Sequence, residues 1–263
     1  MHTTALKPLG AHVTGVAVDK LDAEQVDELR MLLGEHGVVI LRGQDVDDEA
    51  LLRFLRSFGD IVFTAGETPV PGHPDLNVVS NVGRTRPPRS VFHVDTSYVP
   101  TPPAYTALRA VEVPEHGGQT LFSNQYRAHD TLPDDVRAGL EGRVITHVAT
   151  GVEDNTRADH RVLQQHPVTG RTSLYLSTPQ RCTSISGMSA EESAQTVAFL
   201  FALSTRADNL LRHQWAPGDV VMWDNRCVMH RADHSGVVGD RVMHRGMVSD
   251  GSVSDGALAA DHS

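Results

Sequence analysis

The chain has 263 residues and a formal net charge of −10, with 40% hydrophobic and 21% charged residues. Nucleic acids and anionic membranes are both bound through basic surfaces, so this acidic balance argues against either partner. No apolar run approaches the roughly 20 residues that cross a bilayer.

The N-terminus lacks the apolar core of a signal peptide, and we therefore expect a cytoplasmic protein. A chain of this length is ordinary for one β-rich domain, and we expect a single domain over residues 1–250. Small and polar residues from Gly251 onward predict a disordered tail over 251–263. Cys182 and Cys227 cannot build a disulfide framework, and both are expected to be reduced packing residues.

The first sixty residues predict an alternation of strands and helices. Asp22 can cap a helix whose apolar residues recur at helical spacing, and two glycines, Gly34 and Gly37, are placed to end it. The other elements predicted here are strands over 13–18 and 38–41 and a helix that starts at Asp47 or Asp48.

Residues 64–90 are rich in proline and glycine and are interrupted by a predicted strand over 76–80. Arg84, Arg86 and Arg89 lie at the end of this segment. Loops of this kind concentrate binding residues on a rigid scaffold, which makes the three arginines candidates for a ligand site. The alternative is that they form a solvated charge cluster.

A His-x-Asp pair follows at His93 and Asp95. On a strand, residues i and i+2 point to the same face, so the two side chains can hold one object. Two histidines and one carboxylate on one face are the ligand set of non-heme Fe(II) oxygenases. The pair therefore predicts a metal site if the chain supplies a second histidine. Without one, it is a polar pair at a strand edge.

The middle of the chain predicts strands, a hairpin and two helices. Ser189 and Glu192 form a capping box that opens a helix running to about Arg206. The charged segment 151–161 is a candidate lid. The remaining predicted elements are strands over 105–111, 120–122 and 144–148, a helix over 128–140 with Pro133 in its first turn, and a hairpin over 166–176 that turns at Thr169-Gly170 and contains His166 as a structural residue.

The C-terminal part supplies the second histidine within a longer pattern. A Pro217-Gly218-Asp219 turn, a strand and the tetrapeptide Trp-Asp-Asn-Arg precede His230, and Arg241 follows eleven positions later. With His93-x-Asp95 and the Gly-Gly-Gln-Thr that ends at Thr120, this pattern resembles the taurine/2-oxoglutarate dioxygenase (TauD/TfdA) family. The N-terminal segments HGVVILRG and LLRFLRSFGDI extend the resemblance over most of the chain.

The resemblance implies a mainly β fold with flanking helices, a double-stranded β-helix or cupin-like jelly roll. It implies that the catalytic residues His93, Asp95 and His230 hold Fe(II), and that Arg241 and Thr120 bind the far carboxylate of 2-oxoglutarate. Arginine suits that contact because its planar, permanently charged fork matches a carboxylate. The implied reaction converts 2-oxoglutarate and O2 into succinate and CO2 while a substrate carbon is oxidised, most often by hydroxylation.

The resemblance also places Arg245 where taurine enzymes contact the sulfonate, with Arg89 as a second substrate contact. Thr64 and Glu67 stand where those enzymes carry a His and a Tyr, and Arg89 stands where they carry an Asn. We therefore expect taurine to be a poor substrate. We expect a small anionic molecule instead, such as a sulfonate, a phosphonate, a nucleotide, an amino-acid derivative or a secondary metabolite.

Other interpretations stay open at this stage. Arg245 has a structural role if its anionic partner is Asp224, Asp240 or Glu67 rather than a substrate. Two histidines and a carboxylate also build catalytic zinc sites, so a zinc-dependent hydrolase is an alternative, and a non-catalytic jelly-roll binding protein is another. The ligand set does not separate hydroxylation from desaturation, cyclisation or oxidative cleavage. Homo-oligomer formation is also left open.

Overall fold

The computed structural model describes residues 1–64, 66–84, 90–150 and 156–252. In these ranges the chain forms five α-helices and two single-turn 3-10 helices. The helices are α1 (Ala23–His36), α2 (Asp48–Arg56), α3 (Gln125–Asp130), α4 (Asp134–Leu140) and α5 (Ala190–Ser204), and the 3-10 turns cover Val18–Lys20 and Ala207–Asn209. None of these helices is both long enough and apolar enough to span a membrane.

Seventeen strands account for most of the regular structure in the same ranges. They are β1 (His2–Ala5), β2 (Ala11–Thr14), β3 (Val38–Leu41), β4 (Asp60–Val62), β5 (Pro69–Val70), β6 (His73–Ser80), β7 (Tyr105–Glu112), β8 (Thr120–Asn124), β9 (Val144–Val148), β10 (Arg157–Arg161), β11 (Leu163–Gln165), β12 (Thr172–Leu174), β13 (Cys182–Ile185), β14 (Leu210–His213), β15 (Val220–Asp224), β16 (Val228–Ala232) and β17 (Val242–Ser249).

Two sheets position the functional site. Nine strands form a large sheet in the order β1-β2-β3-β15-β7-β17-β6-β5, with β4 paired to β17. A smaller sheet has the order β14-β8-β16, and side chains from both sheets line one pocket. The pocket therefore lies between the two sheets, and this arrangement confirms the predicted jelly roll. A further sheet, β10-β9-β13, and the hairpin of β11 and β12 complete the strand pairing of the described residues.

Strand β3 shows how the apolar pattern builds the core. All four of its residues are buried, as a continuous apolar run predicts for a strand that is covered on both faces. Val39 and Leu41 pack with the apolar residues of helices α1 and α2, whereas Val38 and Ile40 belong to a second cluster that contains residues of the small sheet. Successive side chains of β3 point to opposite faces of the sheet, so the strand packs against the helices on one face and against the core of the pocket sheets on the other.

The predicted helix caps are confirmed, with one correction in α1. Asp22 accepts a hydrogen bond from the Gln25 amide at 2.8 Å in a capping box, and Ser189 forms the second capping box with its own Glu192. Gly34, however, does not end α1, which continues to His36 before Gly37 closes it at φ +77°. A Cβ on Gly34 would lie 2.9 Å from the His166 ring, so this glycine is a packing residue.

The single helix predicted over 128–140 is wrong, because the chain forms two helices there. Helix α3 begins earlier, at Gln125, and ends at Asp130. Pro133 has no amide hydrogen to donate, and its ring disfavours the helical conformation in the preceding residue. The chain therefore leaves one helix before Leu132 and starts α4 directly after Pro133.

Three other predictions are corrected or fall outside the description. The strand predicted over 13–18 ends at Thr14, because Gly15 turns the chain at φ +77°. His93 and Asp95 do not lie in a regular strand, and only His93 forms an isolated β-bridge. Half of the candidate lid is strand β10, whereas the other positions of interest, 151–155, Arg86, Arg89 and the tail from 253, lie outside the described residues.

Candidate metal centre and ligand pocket

Two histidines that are far apart in the sequence are joined through their backbones. The amide of His93 donates to the carbonyl of His230 at 3.0 Å, and the amide of His230 donates to the carbonyl of His93 at 3.0 Å. This reciprocal pair sets the two rings side by side, with centroids 4.4 Å apart. His93 Nδ1 donates its N–H to the Val91 carbonyl at 2.8 Å, which leaves the unprotonated Nε2 available as a metal ligand.

Asp95 completes the group. Its Oδ1 lies 3.5 Å from His93 Nε2, and its Oδ2 lies 3.9 Å from His230 Nε2. One ligand atom from each of the three residues lies within 4.8 Å of the other two. The structure therefore brings together the three residues predicted as a metal site, in a group that offers two imidazoles and one carboxylate.

A chain of buried hydrogen bonds fixes the Asp95 carboxylate. Thr106 donates its hydroxyl to Asp95 Oδ2 at 2.8 Å, and Asn225 in turn donates its amide to the Thr106 hydroxyl at 2.8 Å. Trp223 closes the chain by donating its indole N–H to Asn225 Oδ1 at 3.1 Å. Groups of this kind orient a ligand before the metal arrives, so the carboxylate is held in place from behind.

The protonation states also suit a metal ion, which needs neutral imidazole and ionised carboxylate. Burial lowers the pKa of His230 to about 3, so this ring is neutral at ordinary pH. Burial also opposes the charge of Asp95, but the neighbouring Arg245 guanidinium favours it, and the pKa of that carboxyl is held well below its usual range. Metal binding at neutral pH therefore requires little proton release from these two residues.

Arg241 lies deeper in the same pocket and is 1% exposed. Its Nε donates to the Gly118 carbonyl at 2.9 Å, and its Nη2 donates to the Thr120 hydroxyl at 3.3 Å. Trp215 donates its indole N–H to the same hydroxyl at 3.0 Å. No carboxylate in the described ranges pairs with this guanidinium, and burial lowers the pKa of Arg241 to about 10. The arrangement is a buried cation that lacks an anion.

Arg245 also lines the pocket, but each of its three guanidinium nitrogens already donates a hydrogen bond within the protein. It donates to Asn77 Oδ1 at 2.9 Å, to Asp95 Oδ1 at 3.3 Å and to Glu67 Oε1 at 3.0 Å. Glu67 was one of the alternative partners predicted for this arginine, and the structure places it there. Thr64 does not line the pocket.

The pocket has a volume of about 350 Å³ and is lined mainly by the two sheets. In the part of the chain that the structure describes, its lining contains four arginines and, outside the metal group, one acidic residue, Glu67. Two lining features were not predicted from the sequence, the side chains of Arg181 and His234. Thr106 was also missed as a support for Asp95. No local motif marks these residues, because their places depend on how distant strands pair.

A second group of potential metal ligands contains His166, Asp224 and Cys227. Asp224 already accepts hydrogen bonds from Arg226 Nε at 2.9 Å and Nη2 at 2.6 Å, and His166 Nε2 lies 2.9 Å from its Oδ2. A carboxylate that is neutralised in this way has little left to offer a cation. This geometry agrees with the prediction that His166 is structural.

Comparison with known proteins places this pocket in a wider group. The model of the taurine catabolism dioxygenase TauD, TfdA family matches residues 2–247. The chain is 29% identical to the alpha-ketoglutarate-dependent 2,4-dichlorophenoxyacetate dioxygenase of Cupriavidus pinatubonensis, over 89% of this chain and 92% of that protein. It is 30% identical to pentalenolactone F synthase of Streptomyces avermitilis, over 84% and 85% of the two chains.

A solved structure gives the same result for the fold. The crystal structure of a taurine dioxygenase from Burkholderia xenovorans superimposes with a TM-score of 0.85 at 31% identity. The superposition covers 97% of this chain and 92% of that chain. The similarity therefore extends through both sheets and the pocket between them.

Proposed function

The chain belongs to the taurine catabolism dioxygenase TauD, TfdA family, and we propose that it oxidises a small anionic substrate in the pocket between its two sheets. It is a 2-oxoglutarate-dependent dioxygenase that uses Fe(II) and O2. When bound, these groups supply the oxidation of an unactivated carbon, with 2-oxoglutarate converted into succinate and CO2. The protein supplies the metal ligands, the anchor for 2-oxoglutarate and the pocket.

We assign the metal to His93, Asp95 and His230. Their ligand atoms converge within 4.8 Å, and the remaining side of the group faces the pocket. The Val91 carbonyl fixes the His93 ring, and Thr106 fixes the Asp95 carboxylate, so the ligands need little rearrangement. This preorganisation supports a metal role over a purely structural polar cluster.

The observation that carries the cosubstrate assignment is the buried guanidinium of Arg241. A buried charge without a partner is costly, and a carboxylate from a ligand removes that cost. We propose that Arg241 and Thr120 bind the far carboxylate of 2-oxoglutarate, since Thr120 keeps a hydroxyl beside the guanidinium. The oxygen of that hydroxyl accepts hydrogen bonds from both Trp215 and Arg241, so its own O–H is left to donate to the ligand.

Gly118→Ala tests this anchor. Gly118 has φ +68°, and an added Cβ would lie 3.1 Å from Arg241 Cδ and 2.8 Å from Pro114 Cγ. We expect the alanine to displace the guanidinium and to weaken 2-oxoglutarate by roughly tenfold, as expected for one distorted charged contact. Titration of 2-oxoglutarate in a succinate assay measures the effect.

The matched control is Gly236→Ala. Gly236 has nearly the same backbone angle, φ +64°, but nothing lies within 4 Å of an added Cβ. Both variants therefore carry the backbone strain of about 1–2 kcal/mol that a left-handed L-residue costs. Equal loss of 2-oxoglutarate affinity in both variants would show that backbone strain, rather than the position of Arg241, causes the effect.

For the substrate, we propose that Arg245 and Glu67 line the reacting side of the pocket, with Arg89 as a further contact and Thr64 in the adjoining segment. Arg245 touches Asp95, and so a group bound beside it lies next to the metal ligands. Names of relatives include enzymes of 2,4-dichlorophenoxyacetate and taurine, and both of these compounds carry an acidic group. Hydroxylation is the proposed outcome at the substrate carbon.

A screen tests the proposal as a whole. The purified protein with Fe(II) is given 2-oxoglutarate and sulfonates, phosphonates, nucleotides, aryloxyalkanoates or amino-acid derivatives, and succinate formation is measured. We expect an anionic compound to stimulate oxygen uptake that depends on 2-oxoglutarate. Hydrolysis of a compound without 2-oxoglutarate or oxygen would instead favour a zinc hydrolase, and 2-oxoglutarate binding without any turnover would favour a binding protein.

Taurine is expected to be a poor substrate. Glu67 lies 3.0 Å from the Arg245 guanidinium, at the place where the resemblance puts a sulfonate contact. A sulfonate would have to compete with the Glu67 carboxylate for Arg245. The two negative charges would also repel each other across the same guanidinium. Sulfite release from taurine measures this directly. Release at the rate of the Burkholderia xenovorans taurine dioxygenase, assayed in parallel, would contradict the prediction.

A further inference from the structure

Among the described residues, four arginines line the pocket, and three of them have their charge accounted for. Arg241 is the proposed cosubstrate anchor, and Arg245 is paired with Glu67 and Asp95. Arg84 is exposed to water and donates Nε to the Ser80 carbonyl at 3.0 Å. The fourth arginine, Arg181, requires a separate account.

Arg181 is half-buried on the pocket wall and lacks an anionic partner in the described part of the chain. Its Nη1 donates to the Val94 carbonyl at 3.0 Å, and its Cζ lies 4.9 Å from the centre of the Tyr98 ring. Its Nε is buried and makes no hydrogen bond within the described residues. Stacking on an aromatic ring orients a guanidinium, but it does not neutralise its charge.

The place of Arg181 in the fold makes this charge relevant to the reaction. The carbonyl that it contacts belongs to Val94, which is the residue between His93 and Asp95. The Arg181 backbone amide in turn donates to the Thr178 carbonyl at 2.8 Å, and Thr178 also lines the pocket. The backbone of Arg181 is thus held by Thr178, and its guanidinium is held by Val94. A ligand group that binds this guanidinium therefore lies beside the proposed metal ligands.

We propose that Arg181 forms the subsite for the acidic group of the substrate, a carboxylate, sulfonate or sulfate ester. This inference rests on the proposed function and adds the residue that recognises the anion. Arg181 Nη2 is not buried and makes no hydrogen bond within the described residues, so it is free to donate a charge-assisted hydrogen bond to such a group. Arg245, neutralised by Glu67, then contacts an uncharged polar part of the substrate and holds Asp95 in position.

The test uses matched pairs of compounds that differ in charge at one group. Each carboxylate is compared with its primary amide, each sulfonate with its sulfonamide and each sulfate ester with the parent alcohol. Binding is measured by calorimetry on protein loaded with Mn(II) and N-oxalylglycine, and stimulated succinate formation is measured on the Fe(II) protein. The parent protein is expected to prefer the anion within at least one pair.

In Arg181→Gln, the anion of that pair is expected to bind roughly ten- to a hundredfold more weakly, the loss of one charge-assisted contact. The affinity for the neutral counterpart is expected to change by less than about threefold. A purely structural role of Arg181 would instead weaken both compounds alike. Arg181→Lys keeps the charge and should recover part of the preference. Arg171→Gln is the matched control, because Arg171 also stacks on a tyrosine, Tyr126, but lies outside this pocket.

Three results would overturn the proposal. The first is equal binding of anionic and neutral compounds, or of none of them, by the parent protein. The second is an unchanged preference in Arg181→Gln together with a lost preference in Arg245→Gln, which would give the anion to Arg245. The third is an equal loss of affinity for the anion and its neutral counterpart in both Arg181→Gln and Arg181→Lys, together with lower unfolding temperatures. That result would mean that Arg181 has a structural role, in which it holds the Val94 carbonyl. In the second and third cases the parent protein still prefers the anion and binds N-oxalylglycine, so the proposed function itself would still hold, whereas the first result would also contradict the proposal of an anionic substrate.

Discussion

Replacement of His93, Asp95 or His230 by alanine is expected to abolish both metal binding and 2-oxoglutarate turnover. Each variant leaves only two of the three convergent ligands, and a water molecule in place of the missing side chain is a weaker ligand that the fold does not hold in position. Changes to groups that merely support a metal ligand cost about 10–100-fold in affinity or activity, and loss of a ligand itself should exceed that range. Bound iron after gel filtration and succinate formation are the two measurements.

His73→Ala is the matched control for His93→Ala. Both side chains are 27% exposed, and both lie near a carboxylate, with His73 Nδ1 at 3.6 Å from Glu49. His73 does not line the pocket. The control should keep its iron and its turnover. Full 2-oxoglutarate turnover by the His230→Ala protein would refute the assignment. An enzyme that needs His230 as a metal ligand cannot keep full activity without it.

The sequence predicted the metal group because its members lie in short patterns. His93 and Asp95 are two residues apart, and His230 follows a tetrapeptide that can be recognised without a structure. The reason that these segments meet was not readable in advance. The reciprocal backbone bonds between His93 and His230 join residues that are far apart in the chain, and they form without a regular strand around His93.

Local rules also explain which helices were predicted well. A capping box is complete within four residues, so Asp22 and Ser189 marked their helices correctly. The break at Pro133 is also local, because a proline disfavours the helical conformation in the residue before it, here residue 132. The sequence therefore contains the information that places this break.

The charges of the pocket could not be predicted in the same way. Arg245 meets Asn77 through the register of β17 on β6, and this pairing brings Glu67 within reach. Arg181 meets Val94 across 87 residues of the chain. Thus the sequence identified Arg241, Arg245 and Arg89 as binding residues, but only the strand pairing shows that the Arg245 guanidinium is already neutralised. A basic pocket in a chain of net charge −10 also means that composition says little about the ligand.

Arg241→Ala is expected to weaken 2-oxoglutarate far more than it weakens the prime substrate. The lost contact joins a buried guanidinium to a carboxylate, and charge-assisted hydrogen bonds of this type contribute about 1.5–3 kcal/mol, or roughly ten- to a hundredfold in affinity. The fold should survive, because Thr120 loses the hydrogen bond from Arg241 but still accepts one from Trp215 Nε1, and the other bond lost is the one to the Gly118 carbonyl.

Calorimetric titration of N-oxalylglycine into Mn(II)-loaded protein measures this effect without any need for turnover, so it does not depend on a known substrate. Arg245→Gln is the comparison that gives the result its meaning. Arg245 lines the same pocket, four residues further along, but its charge is balanced by Glu67 and Asp95, so its loss should change N-oxalylglycine binding much less. If Arg241→Ala kept its affinity and Arg245→Gln lost it, Arg245 would be the cosubstrate anchor, and the buried charge of Arg241 would need another partner.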